Sequence, residues 1–312
     1  MAIALKCALL FTAAPGAWAA LINHELNFSP YQGELSQSTA VPSMAGRITV
    51  SVNGIPIRDE LLETQQLSLG IFGDMPPPVV WLPMHVNGRF LSQRDNLVQL
   101  RFIPTDGRRP YTAWFRWHGV SDQSEKREEL QSDGTMLLTS TNVVDLEEER
   151  SQLSGEFLVE RSFDAPWVTP RPWQNNAPIR QLSQADELGL RALVQERRRV
   201  FETDLNAAYG EIPSDSGVDV TALKQNRCLE MAREGVRLQD ADGSQIRLRT
   251  TGGPVVVAEG SNGELFPRSF TPGFGDKLSL EKVMCVTTAL ALALPRWMLF
   301  VKDPAGRWQS ID

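Results

Sequence analysis

The sequence predicts an exported chain of two parts, an N-terminal all-β antiparallel sandwich, with a jelly roll among its forms, and a C-terminal α+β domain. Three observations carry this. Turn pairs such as Asn53-Gly54 punctuate short alternating apolar runs through the first half. A proline-rich stretch, DAPWVTPRPWQNNAP, then interrupts regular structure. Beyond it, apolar residues recur at helical spacing before strand patterns return. The expected boundaries are a signal peptide over 1–19, a sandwich over 20–163, a connector over 164–181 and the α+β domain over 182–312.

The amino terminus reads MAIALKCALLFTAAPGAWAA. Lys6 precedes a short apolar run, Pro15-Gly16 breaks it, and Ala17-Trp18-Ala19 places small residues where a signal peptidase cuts. Export to the periplasm or beyond follows. Cys228 and Cys285 then remain as a pair in an oxidising compartment, which favours a disulfide over two buried thiols. No later stretch is long and apolar enough to be read as a transmembrane helix.

In the first part, Ile48, Val50 and Val52 alternate with polar residues, and Asn53-Gly54 turns them into Ile55-Pro56-Ile57. Leu67, Leu69 and Ile71 offer another run, ending before Pro76-Pro77-Pro78. Asn87-Gly88 predicts a second hairpin. Leu97 to Ile103 is nearly all apolar, as in a strand covered on both faces. Tyr111, Ala113, Phe115 and Trp117 then share one face, expected to be core, and Thr112, Trp114, Arg116 and His118 share the other. Ser121 to Asp133 is polar, Asp133-Gly134 reads as a turn, and the acidic run Asp145 to Arg150 reads as a solvated loop or helix turn. Phe157, Val159 and Arg161 form the last strand. Trp167 and Trp173 are expected to pin the connector against one of the two domains.

In the second part, Ser183 and Asp186 resemble a capping box ahead of a stripe from Leu190 to Ala208, which Gly210 ends. Asp219 caps a second helix that carries Cys228 on its apolar face and stops at Gly235. Strands follow at 236–238, 246–249 and 255–257, separated by Asp242-Gly243 and Gly252-Gly253. Residues 278–294 fit helix and strand alike. A hairpin across Asp303-Pro304-Ala305-Gly306 closes the chain.

The formal net charge of −7 argues against a nucleic-acid binder or an anionic-membrane binder, both of which need a basic footprint. Arg197-Arg198-Arg199 reads as a solvated helix face. Three histidines without ligand spacing support no metal, and no phosphate-cradling loop or nucleophile motif is present, so no cofactor is expected. The expected function is therefore a non-catalytic binding protein with a protein partner in the cell envelope: an adaptor, a chaperone-like protein or an immunity protein. A carbohydrate-binding module is the alternative, with Trp114, Arg116 and His118, joined by His85 from a neighbouring strand, as the surface examined first. The string Val86 to Leu91 followed by Asp95 to Val98 is similar to turn-and-strand spelling in galactose-binding-like jelly rolls, which implies a glycan ligand. A hydrolase using paired carboxylates ranks third, since such acids need no sequence spacing.

Overall fold

The computed structural model describes residues 20–36, 38–69, 76–130, 136–213, 216–239 and 245–311, and of 125–141 only the backbone of 125–130 and 136–141. The expected signal peptide and the Asp133-Gly134 and Asp242-Gly243 turns lie outside the described residues. Antiparallel sheets dominate, with a few helices toward the carboxyl end, a β-rich α+β fold.

Ten strands come first: β1 (Leu21–Tyr31), β2 (Val41–Pro42), β3 (Gly46–Val52), β4 (Ile55–Leu62), β5 (Gln66–Leu67), β6 (Val80–Pro83), β7 (Asn96–Pro104), β8 (Tyr111–Leu130), β9 (Met136–Leu153) and β10 (Phe157–Phe163). They form two four-stranded sheets, ordered β6-β1-β8-β9 and β10-β7-β3-β4. The alternation read along 111–117 is what joins the sheets. Tyr111, Ala113, Phe115 and Trp117 turn inward against Phe28 of β1, Ile48 and Val50 of β3, and Leu100 and Phe102 of β7. Each such fully buried large apolar side chain contributes roughly 1.5–3 kcal/mol.

Turn chemistry holds at the β3–β4 hairpin, where Asn53 and Gly54 take φ of 52° and 74°, as a two-residue primed turn requires. It fails at Asn87-Gly88. Residues Met84–Phe90 form two short 3-10 turns across a kink at Asn87, whose φ is −105°. The physical reason is topological. β6 pairs with β1 in one sheet while β7 pairs with β3 and β10 in the other, so the chain must cross between layers there. A two-residue hairpin joins neighbours in one sheet and cannot do this. The turn-and-strand spelling attributed to Val86–Leu91 is therefore not realised.

β7 also departs from expectation. Val98, Leu100 and Phe102 are buried, but Leu97 and Ile103 are about two-fifths exposed (40% and 41%), so only one face is covered. Asp145 to Arg150, expected as a loop or helix turn, is the exposed middle of β9, with a bulge at Asp145 (φ 49°). Of the Leu67–Ile71 run, only Gln66–Leu67 is strand, and residues from 70 to 75 lie outside the described set.

The connector is irregular apart from a 3-10 turn at Pro172–Asn175. Its tryptophans pack against more than one part of the chain: Trp167 against the sandwich core, and Trp173 against a smaller cluster, described below, drawn from both halves.

Then come α1 (Gln184–Thr203), α2 (Leu205–Gly210), α3 (Val220–Gln225), α4 (Cys228–Gly235), β11 (Val236–Leu238), β12 (Ile246–Thr250), β13 (Val256–Gly260), β14 (Arg268–Phe270), α5 (Leu280–Ala293), β15 (Trp297–Lys302) and β16 (Trp308–Ser310). Ser183 caps α1, and the capping box with Asp186 forms in both directions. Each helix predicted as one is two. Asp204 leaves helical geometry (φ −139°, ψ 91°) and caps α2, and Arg227 at φ 55° separates α3 from α4. Residues 280–293 resolve the ambiguous stretch as helix, because Val286, Ala289, Leu290 and Ala293 share one buried face.

The helices pack on one face of the sheet β12-β13-β15-β16, with Leu190, Leu229, Val256, Met298 and Phe300 in its core. Cys228 and Cys285 join α4 to α5 as a disulfide, with Cα atoms 5.4 Å apart. The opposite face of that sheet meets the sandwich: Val255, Val257, Leu299 and Val301 bury against Ile55 and Phe90.

Candidate functional site

The β8 face carrying Trp114, Arg116 and His118 is assembled by register. Across β1, Ser29 stands opposite Trp114, Asn27 opposite Arg116 and Glu25 opposite His118. Trp114 is 2% exposed and packs with Tyr31, Val41 and Leu67 under the segment that carries β2 and β5. A covered indole offers no stacking face, so the expected Trp114 platform is corrected.

His118 is also buried, at 5% exposure, with Nε2 3.6 Å from Glu25 Oε2. Burial, then the Arg116 charge, pushes its pKa down to about 4, with Glu25 opposing. His24 on the adjacent strand stacks on Trp117, with ring centroids 4.9 Å apart and planes 9° apart, and burial pushes it down as well. Both imidazoles are therefore neutral near pH 7. His85 lies exposed on the 3-10 turn, and its backbone N–H donates to Asn23 Oδ1 at 2.9 Å. Among the described residues its link to His118 runs through Asn23 and Glu25, as Asn23 Nδ2 donates to Glu25 Oε1 at 3.3 Å.

The exposed aromatic on this face is Trp81 of β6, 57% exposed, with its indole N–H donated to Glu25 Oε2 at 2.9 Å. Its signal was present in the sequence as alternation: Val80 is buried and Trp81 points outward. With His118 neutral and Glu25 already engaged, this face supplies hydrogen bonds and one indole surface, while His24 lies on the opposite, core side with Trp117. Among the described residues no group of three His, Cys, Asp or Glu side chains converges to hold a metal. The Arg197 to Arg199 run, expected as a solvated face, is solvated only at Arg199, which pairs with Glu196: Arg198 is largely buried beside Glu202, and Arg197 is 4% exposed and pairs with Glu211.

A second surface comes from the same strands. β1 accompanies β8 only as far as Ser121. Beyond that, β8 and β9 pair with each other alone, from Glu125↔Thr141 to Leu130↔Met136. The two-stranded ribbon runs roughly 30 Å past the body at a strand's rise per residue. β9 is the edge strand of its sheet. Along the body this edge reads DLEEER, exposed and charged, which blunts pairing with other chains. Along the ribbon it reads MLLTST, with no charge and no proline. The sequence marks Ser121 to Asp133 as polar and Asp133-Gly134 as a turn leading into Met136-Leu137-Leu138, but nothing in it marks the two runs as paired strands.

No protein-family model, no curated protein and no solved structure matches this chain. No helix of the described residues is long and apolar enough to cross a membrane.

Proposed function

We propose that the chain is an exported, non-catalytic binding protein built of two modules, and that it captures a partner protein of the cell envelope by pairing an extended partner segment along the free edge of its β8–β9 ribbon. The observation carrying this reading is the contrast along β9: a charged edge beside the body and an uncharged, strand-forming edge on the ribbon. An isolated two-stranded ribbon is marginally stable in water, and a long uncharged edge invites strand addition. A partner strand supplies the missing hydrogen bonds, and alternate side chains supply specificity. The disulfide and the small-residue cleavage pattern ending at Ala19 support an oxidising destination.

The test replaces Ser124 to Thr141 by Asn-Gly, leaving the body intact. A photo-activatable residue at Thr139 is expected to cross-link one envelope protein, and the same residue at Leu158, on the outer face of β10, is not. The shortened chain, with unchanged thermal unfolding, should lose that partner. Equal capture by both chains, or cross-linking only to a second copy of this chain, sinks the reading. N-terminal sequencing of exported protein should begin at Ala20.

A further inference from the structure

The outer face of the β10-β7-β3-β4 sheet and the sandwich-facing side of the β12-β13-β15-β16 sheet meet at the apolar contact of Ile55 and Phe90 with Val257 and Leu299, then diverge. Between them opens a groove of about 510 Å³. Five arginines line it, Arg47, Arg58, Arg101, Arg247 and Arg249, against two carboxylates, Asp59 and Glu259. In a chain of net charge −7 this is a local reversal of sign.

Three of the arginines have carboxylate partners. Arg47 holds Asp59 at 2.7 and 2.8 Å, Arg58 holds Glu60, and Arg101 holds Glu156. The other two differ. The run Ile246-Arg247-Leu248-Arg249 alternates, so Ile246 and Leu248 turn to the helix-covered core while both exposed guanidinium groups face the groove. Arg249 donates to the Gly54 carbonyl at 3.0 Å. Neither Arg247 nor Arg249 forms an ion pair among the described residues, although Glu259 stands opposite Arg247 in the β12–β13 register. Their separation along the strand is roughly 7 Å.

The neutral lining is also specific. Thr49 and Ser51 on β3 and Ser261 after β13 bring hydroxyls with no hydrogen-bond partner among the described residues. Trp297, half-buried beside Glu259 in the register of β13 and β15, adds an aromatic surface.

We propose that this groove binds an acidic oligosaccharide, a sugar chain bearing carboxylates. Arg247 and Arg249 present planar forks that match carboxylates two-to-two. The free hydroxyls match sugar hydroxyls, and the indole packs against a ring face. An acidic peptide would satisfy the arginines, and its backbone amides need an open strand edge. The strands β4 and β12 end their sheets at this groove and offer such edges, so the sugar is favoured by the three unpartnered hydroxyls and the Trp297 face, and poly-glutamate is the probe that separates the two ligands.

The test is calorimetric titration of the full mature chain with oligogalacturonate, a neutral oligosaccharide of equal length, poly-glutamate and inorganic phosphate. Binding is expected for oligogalacturonate alone, weakening as salt rises. The double variant Arg247→Ala/Arg249→Ala removes exposed groups without ion pairs, so the fold persists, and it should bind at least about tenfold more weakly. Arg199→Ala, on the surface of α1, should bind as the parent does. Equal binding of the neutral sugar, binding of poly-glutamate or phosphate at comparable strength, no binding of any probe, or unchanged affinity in the double variant would each overturn the proposal. The ribbon deletion leaves the groove untouched, so the two proposals fail separately.

Discussion

His118 and Trp114 share one face of β8, and burial acts on each in a different way. The His118 imidazole titrates near 6.5 in an unfolded chain and at about 4 in the fold. Between those values the unfolded chain holds a proton that the native chain refuses. Stability contributed by the neutral ring is therefore present above pH 6.5 and is lost as pH falls toward 4, by about 3 kcal/mol at most. Urea unfolding at pH 7.5 and 4.5 should show His118→Gln losing less stability over that interval than the parent; parallel losses would show that His118 does not titrate this way. For Trp114 the expected effect is on packing. Trp114→Ala should cost about 3–5 kcal/mol in urea unfolding, the usual range for emptying a large aromatic site, whereas a loss within about 0.5 kcal/mol would be that of a surface residue. The two-residue period placed Trp114 correctly on the face away from the sandwich core. It could not reveal the β2–β5 segment that covers it, because Val41 and Leu67 come from far upstream.

Elements were legible wherever local chemistry determines them. Asn53-Gly54, the Ser183–Asp186 box and the Asp303 to Gly306 turn each act within a few residues, and each forms as read. Asn87-Gly88 did not, because the chain's need to change sheets overrides a turn preference. The ribbon was illegible for a related reason: neither strand of it is amphipathic, so period two carries no burial signal there. The disulfide belongs to this scale, since it ties α4 to α5 across 57 positions of sequence. Removing it with Cys228→Ser/Cys285→Ser should lower stability by on the order of 4 kcal/mol under the chain-entropy relation. Denaturant unfolding measures this, and peptide mapping without reductant should recover the two cysteines linked. A double variant as stable as the parent would mean that the link contributes nothing beyond local packing.

Across the whole molecule, the connector's prolines announced a change of structure, but nothing in the sequence announced the seam behind it. Ile55, Phe90, Val257 and Leu299 come from four distant places and meet only once both sheets are built. The arginines of the groove share that history, with Arg47 and Arg101 from the sandwich facing Arg247 and Arg249. Polar ties reinforce the seam: Asn176 Nδ2 donates to the Lys302 carbonyl at 2.7 Å, the Ile179 N–H to Gly253 O at 2.8 Å, and Arg296 to the Asp59 carbonyl. Ile55 and Phe90 bury against the C-terminal sheet without belonging to its helix-covered core, so their removal weakens the seam more than that core. Under the proposal of two modules joined at this seam, the contact couples their cores, so the parent should show one calorimetric transition. Ile55→Ala with Phe90→Ala removes about 5 kcal/mol or more of packing by the usual costs of such truncations. The scan should then split, with the transition of the disulfide-linked core moving least. A single transition that shifts down without splitting would mean that the two cores form one cooperative unit, joined by more than this seam.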